Sequence, residues 1–188
     1  MTPSVTIFLT LVVFASVAFV IARIRAFGRE PIQALADSHS QPQIDLRQHL
    51  SGPIQCEGMI HGPTGNLASR FTAQMHGRWD GANGVLEENF SYASGGTQKR
   101  EWRLKMGNDG RFTATADDVI GVAQGEYAGC SIRMTYRLRL PAESGGHVLT
   151  VTDWLYLSEN GVILNRSEMR KFGFKVGELF AVMRPQPI

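Results

Sequence analysis

The chain has two cysteines in 188 residues, Cys56 and Cys130, too far apart for a CxxC element and with no further cysteine to build a disulfide framework. Two separate thiols are the expectation. Its five histidines, His39, His49, His61, His76 and His147, show no metal-ligand spacing, which argues against a zinc or iron centre. GxSxG, GxGxxG, a Walker A lysine and a Cys-His pair are all missing, so no nucleophile motif or cofactor loop is written in the sequence and no cofactor is expected. Charge of one sign is lacking too: 19 Lys and Arg against 17 Asp and Glu leave +2, and no basic run exceeds two residues. That excludes nucleic acid as an expected partner. Runs at helical spacing are few, while 20 glycines punctuate the chain, a combination that points to turn-rich β-structure.

One long apolar run is present. Residues 5–22 carry no charge over 18 positions; as a helix such a run rises about 27 Å, close to the hydrocarbon thickness of a bilayer. A cleaved signal peptide ending at Ser16-Val17-Ala18 is the alternative, but no Lys or Arg precedes the run. Arg23, Arg25 and Arg29 follow it, so the positive-inside rule places the N-terminus outside and the remainder in the cytoplasm, with a periplasmic domain as the alternative. The expected organisation is a transmembrane anchor over 1–25 in an inner membrane, a juxtamembrane linker over 26–43, and a globular domain over 44–188. Residues 27–36 read either as a short interfacial helix after Pro31 or as a spacer.

From Ile44 the apolar period changes to two. Strands are expected at about 54–61, 69–79, 85–92, 97–106, 111–116, 119–127, 131–140, in the two arms of 148–173, and at 175–183. Nine or ten antiparallel strands joined by short turns must hide their edges, and closure into a barrel does so; a two-sheet sandwich is the alternative. In the fourth run Arg100 shares a face with Gln98, Trp102, Leu104 and Met106, which turns a guanidinium inward beside an indole. Glu88, on a face with Leu86 and Phe90, is placed to be its partner. In the seventh, Ile132, Met134, Tyr136, Leu138 and Leu140 face in.

Asn160-Gly161 is the clearest hairpin signal, suited to a two-residue type I′ turn. That turn pairs Glu159 with Val162, and so Leu155 with Arg166 and Asp153 with Glu168. Asp153, Arg166 and Arg170 then form a charge cluster on one face, with Trp154 on the other. If this face lines a lumen, Arg166 could hold a carboxylate or phosphate with Asp153 orienting it; if it points out, it is a surface ion-pair network. Asp117-Asp118 reads either as an acid/base pair or as a turn cap at a strand start.

The stretches Leu50-Ser51-Gly52-Pro53-Ile54, Trp79-Asp80-Gly81, Asp117-Asp118-Val119 with Gly121, Asp153-Trp154, and Asn165-Arg166 with Lys171-Phe172-Gly173 resemble a family of bacterial envelope-associated proteins of unknown function. The resemblance runs from about Leu46 to Arg184. It implies a lipocalin-like (calycin) all-β antiparallel barrel of 8–10 strands and an association with lipids, with a lipid-modifying enzyme as a partner. Members are often lipoproteins, whereas this sequence has no cysteine near its apolar run to acylate. Gly77-Arg78-Trp79 is similar to the lipocalin G-x-W element, whose tryptophan packs at the closed end beneath a late arginine; Arg166 or Arg170 would be that arginine.

Two classes of function follow. The preferred one is a membrane-anchored barrel that binds a membrane lipid or fatty-acyl ligand, with Trp102, Phe112, Met134 and Tyr136 lining the apolar part and Arg100 meeting an anionic head. The other is a lipid-modifying isomerase or hydrolase using Asp118 or Asp153 with Arg100; a scaffold that recruits an enzyme to the membrane is a third. Lumen polarity discriminates: a lone arginine in an apolar pocket favours binding, whereas a convergent Asp/Arg/Asn set with a perturbed carboxylate favours catalysis.

Overall fold

The computed structural model describes residues 13–18 and 42–186. The chain divides into two units, Met1–Glu30 and Pro31–Ile188. In the first, residues 13–18 are helical and exposed. Most of the expected membrane span and linker lies outside the described residues, and among those described no helix is long and apolar enough to cross a membrane.

The second unit is a closed ten-stranded antiparallel barrel: β1 (Gly52–His61), β2 (Leu67–Asp80), β3 (Asn83–Tyr92), β4 (Thr97–Met106), β5 (Arg111–Thr115), β6 (Ala123–Ala128), β7 (Ser131–Arg139), β8 (Val148–Leu157), β9 (Ile163–Lys171) and β10 (Phe174–Pro185). Each strand pairs with its sequence neighbours, and β1 with β10 closes the ring, from Ile54↔Pro185 to His61↔Glu178. Closure removes the free outer strands of an open sheet and leaves the part of β4 beyond its pairing with β5 without a strand neighbour on that side. The expected alternation is realised most cleanly in β2, where Phe71, Ala73 and Met75 are buried while Arg70, Thr72, Gln74 and His76 are exposed. Residue 119 is not part of a strand as expected; Val119 makes a single bridge to Leu138, and the loop leading to β6 stands where β5, only five residues long, stops flanking β4.

One end is closed by the chain entering the barrel. Ile44 donates its N–H to Gly129 O (2.8 Å), and a helical turn, Leu46–His49, begins at Asp45, whose carboxylate accepts from Arg47 N–H. Leu46 and Leu50 are 1% and 5% exposed and face the interior. Trp79 holds this plug by donating Nε1–H to Leu50 O at 3.0 Å. Gly77 makes room for it, since a Cβ there would lie 1.8 Å from Leu50 O. That oxygen is backbone and cannot swing aside, so Gly77→Ala is expected to lower stability by about 1–3 kcal/mol. A urea midpoint unchanged from wild type would refute that packing.

The hairpin between β8 and β9 corrects the expected register. Ser158 N–H donates to Val162 O (2.8 Å), Gly161 N–H to Ser158 O (2.9 Å), and Asn160 Oδ1 accepts from Val162 N–H (3.2 Å). Gly161 alone takes positive φ (79°), so the loop has three residues instead of two. Every pairing slips by one, giving Asp153↔Ser167 and Trp154↔Arg166. A one-residue slip turns a strand over. Ile163, Asn165, Ser167 and Met169 accordingly accompany Asp153 inside, while Arg166, Glu168 and Arg170 join Trp154 outside.

Candidate functional site

The barrel encloses a chamber of ≈ 240 Å³. Its walls are mainly apolar, with Trp102 and Tyr136 edge to face at 5.1 Å and with Phe71, Phe112, Ile132 and Met134 among the lining side chains. Of the residues singled out in the sequence, Arg100, Trp102, Phe112, Met134, Tyr136 and Asp153 all line it. Arg166 does not. It lies over the Trp154 ring at 5.3 Å on the outer face, bonded to Glu178 Oε1 (2.8 Å), in a ladder that includes Glu168, Arg170 and Lys175. The lumenal role weighed for Arg166 is therefore corrected by the register. Arg166 covers Trp154 and not the G-x-W tryptophan Trp79, whose indole bonds Leu50 O.

Against this apolar wall stands a polar cluster from five strands and one loop. Arg100, from β4, donates Nε–H and Nη2–H to Asp118 Oδ2 at 3.0 and 2.6 Å, and its Nη1 lies 4.0 Å from Glu88 Oε2 on β3. Its carbon stem and guanidinium pack on Trp102, 5.6 Å from the ring centroid. Asp118 is neither half of an acid/base pair with Asp117 nor a simple cap: Asp117 is exposed and bonds Arg103, while Asp118 turns inward. Arg100 is thus not held open for an anion, as the sequence suggested, because a carboxylate of the chain already occupies its fork. On the facing wall stands Asp153 of β8, whose charged form is favoured by the hydroxyls of Ser167 of β9 and Tyr136 of β7.

Burial dominates the electrostatics. Glu88, 8% exposed, is pushed up to about 7 by loss of water, partly offset by Arg100 and reinforced by Asp153 and Asp118. Burial likewise raises Asp153 against the hydroxyls of Ser167 and Tyr136. Burial opposes the charge on Arg100, yet Tyr136, Glu88 and Asp118 outweigh it, and the guanidinium is held more firmly protonated than usual. Cys56, also on the chamber wall, is pushed up to about 12 by burial and stays an inert thiol; Cys130 is free as well. Glu88 Oε2, Asp118 Oδ1 and Asp153 Oδ1 are buried without a hydrogen-bond partner.

Four residues of the chamber, Glu88, Gln98, Arg100 and Asp118, also line a groove on the outside of the barrel, with Glu87, Asn89, Lys99, Glu101 and Asp117. The groove lies where the upper half of β4 has no β5 partner. Ser167 and Asn165 were missed in the sequence because the expected register put 167 on the wrong face; Tyr92 and Gln98, bonded to each other at 2.9 Å, could have been found from the alternation of β3 and β4.

The fold is similar to the crystal structure of Rv2717c from M. tuberculosis, at a TM-score of 0.54 and 15% identity over 84% of this chain and 99% of that one. At that identity the likeness concerns the fold alone. No curated protein matches the sequence. Residues 23–185 match the family described as "Protein of unknown function (DUF3833)", and with nearly the whole barrel inside that match the chain belongs to this family.

Proposed function

We propose that this protein is a membrane-anchored, lipocalin-like binding module that takes up one small apolar or amphipathic molecule, of the lipid or fatty-acyl class, inside the barrel. The observation that carries this reading is an apolar chamber with a polar cluster confined to one part of its wall, the usual pattern of a ligand site in which a few polar groups fix orientation. At ≈ 240 Å³ it has the volume of about eight waters and suits a single short chain or the end of a longer one, not a two-chain lipid. The plug of Leu46 and Leu50 supports entry elsewhere, through the groove beside Asp118 or the opposite rim. Native mass spectrometry of the protein from its own membranes, with identification of extracted lipid, tests this: a stoichiometric amphipathic adduct is expected, and bare protein from every preparation would reject it.

The convergence of Glu88, Arg100, Asp118, Asp153 and Asn165 on one chamber favours a second reading, acid–base catalysis on the bound molecule. A carboxyl at about 7 is matched to proton transfer at neutral pH. Incubation of the lipid complex in D2O separates the two readings. Deuterium entering carbon positions of the ligand in wild type and not in Glu88→Gln would establish proton abstraction; no exchange leaves binding alone.

A further inference from the structure

The binding reading leaves open which chemistry the polar part of the chamber recognises, and the lone pairs there are informative. Two carboxylates, Asp118 and Glu88, stand within ion-pair distance of one guanidinium, and a third, Asp153, lines the same chamber. Arg100 is engaged by Asp118 through two hydrogen bonds and faces Glu88 at 4.0 Å, so its charge is already compensated. Glu88 Oε2 and Asp153 Oδ1 belong to side chains that are 8% and 9% exposed, line the chamber and lack hydrogen-bond partners; Asp118 Oδ1 adds a third unpartnered acceptor. A buried acceptor without a donor is costly, and three on one cavity are best explained by a donor that arrives with the ligand.

We propose that the chamber receives a protonated amine: its ligand is an amphiphile with an ammonium group, not a carboxylate or phosphate. An ammonium brings three N–H donors and a positive charge to a wall that offers three acceptors and an excess of negative groups. A carboxylate or phosphate head would meet those same oxygens lone pair to lone pair, while two of the Arg100 donors are already engaged by Asp118. Aromatic surface beside the cluster, from Trp102 and Tyr136, suits the carbon atoms next to the nitrogen. The titratable and charged groups lining the chamber are Glu88 and Tyr92 from β3, Arg100 from β4, Asp118 from the loop between β5 and β6, Tyr136 and, at the end of β7, Arg139, Asp153 from β8 and Cys56 from β1, so three carboxylates stand against two arginines.

The proposal rests on the binding reading, and its test keeps the two apart. Delipidated full-length protein at pH 8 is offered an equimolar mixture of decylammonium, decanol and decanoate, and adducts are counted by native mass spectrometry. The expected result is decylammonium over decanol by at least about tenfold, with decanoate the weakest, as charge-assisted hydrogen bonds imply. In Glu88→Gln and in Asp153→Asn, which keep side-chain shape, that preference should drop by roughly tenfold while decanol binding persists. Decanol binding without an ammonium preference, a preference for decanoate, or an ammonium preference untouched by both substitutions overturns the proposal and leaves the binding reading standing. No adduct of any of the three overturns the binding reading itself.

Discussion

Arg100→Met is expected to lower the unfolding free energy by about 3–5 kcal/mol at pH 8, the scale of stripping one partner from a buried ion pair. The side chain is 15% exposed and is the only cation on the chamber wall within salt-bridge distance of Glu88 and Asp118 among the described residues. Methionine keeps the apolar stem against Trp102, so the loss reports uncompensated charge and not a cavity. The loss should shrink as pH falls, because Glu88 takes up a proton below about 7 and then needs no counter-charge. Urea unfolding at pH 8 and pH 5 checks this; an equal loss at both would mean that Arg100 matters by packing. Adding Asp118→Asn should recover part of the stability at pH 8, a coupling that two independent sites would not show.

The barrel was legible because alternation is a local matter and a meander of short-turned strands must hide its edges, although the closing pair joins Ile54 to Pro185. β4 was placed at its observed bounds from period alone, and the inward turn of Arg100 followed from its sharing a face with Trp102. What alternation cannot supply is the count of residues in a loop. Asn160-Gly161 admits a two-residue turn with both residues at positive φ or a three-residue loop with Gly161 alone there. The chain takes the second, with Asn160 Oδ1 used on Val162 N–H. That one residue moved Arg166 from the lumen to the Trp154 ring and brought Ser167 to Asp153. Asp118 was missed as the partner of Arg100 for a different reason. It is 18 positions away in a loop whose path depends on β5 ending early, and no periodicity describes a loop. Glu88, directly opposite Arg100 in the ladder, was the partner the sequence offered, and it is the second-nearest carboxylate.

Glu88→Gln is expected to stabilise the protein, by about 2–3 kcal/mol above pH 7, and to flatten much of its pH dependence. Glu88 in the folded chain holds its proton to about 7, against an ordinary value of 4.5. Below 4.5 both folded and unfolded chains are protonated here and the site costs nothing. Between 4.5 and 7 the unfolded chain releases the proton while the folded one retains it, so the unfolded state binds fewer protons and stability falls as pH rises. Above 7 the penalty is complete. Glutamine never ionises, so wild type and variant should be equally stable near pH 4 and diverge through this window, leaving a residual slope of the same sign from Asp153, whose carboxyl burial also raises. Denaturant midpoints from pH 4 to pH 8 give the curve; a variant less stable than wild type at pH 8 would show that attraction to Arg100 exceeds the desolvation of Glu88. A substitution that strengthens the fold while weakening ammonium selectivity separates the two roles of this carboxylate. Stability alone would favour an amide at position 88, so the acid there is a cost to folding that the proposed ammonium recognition would offset.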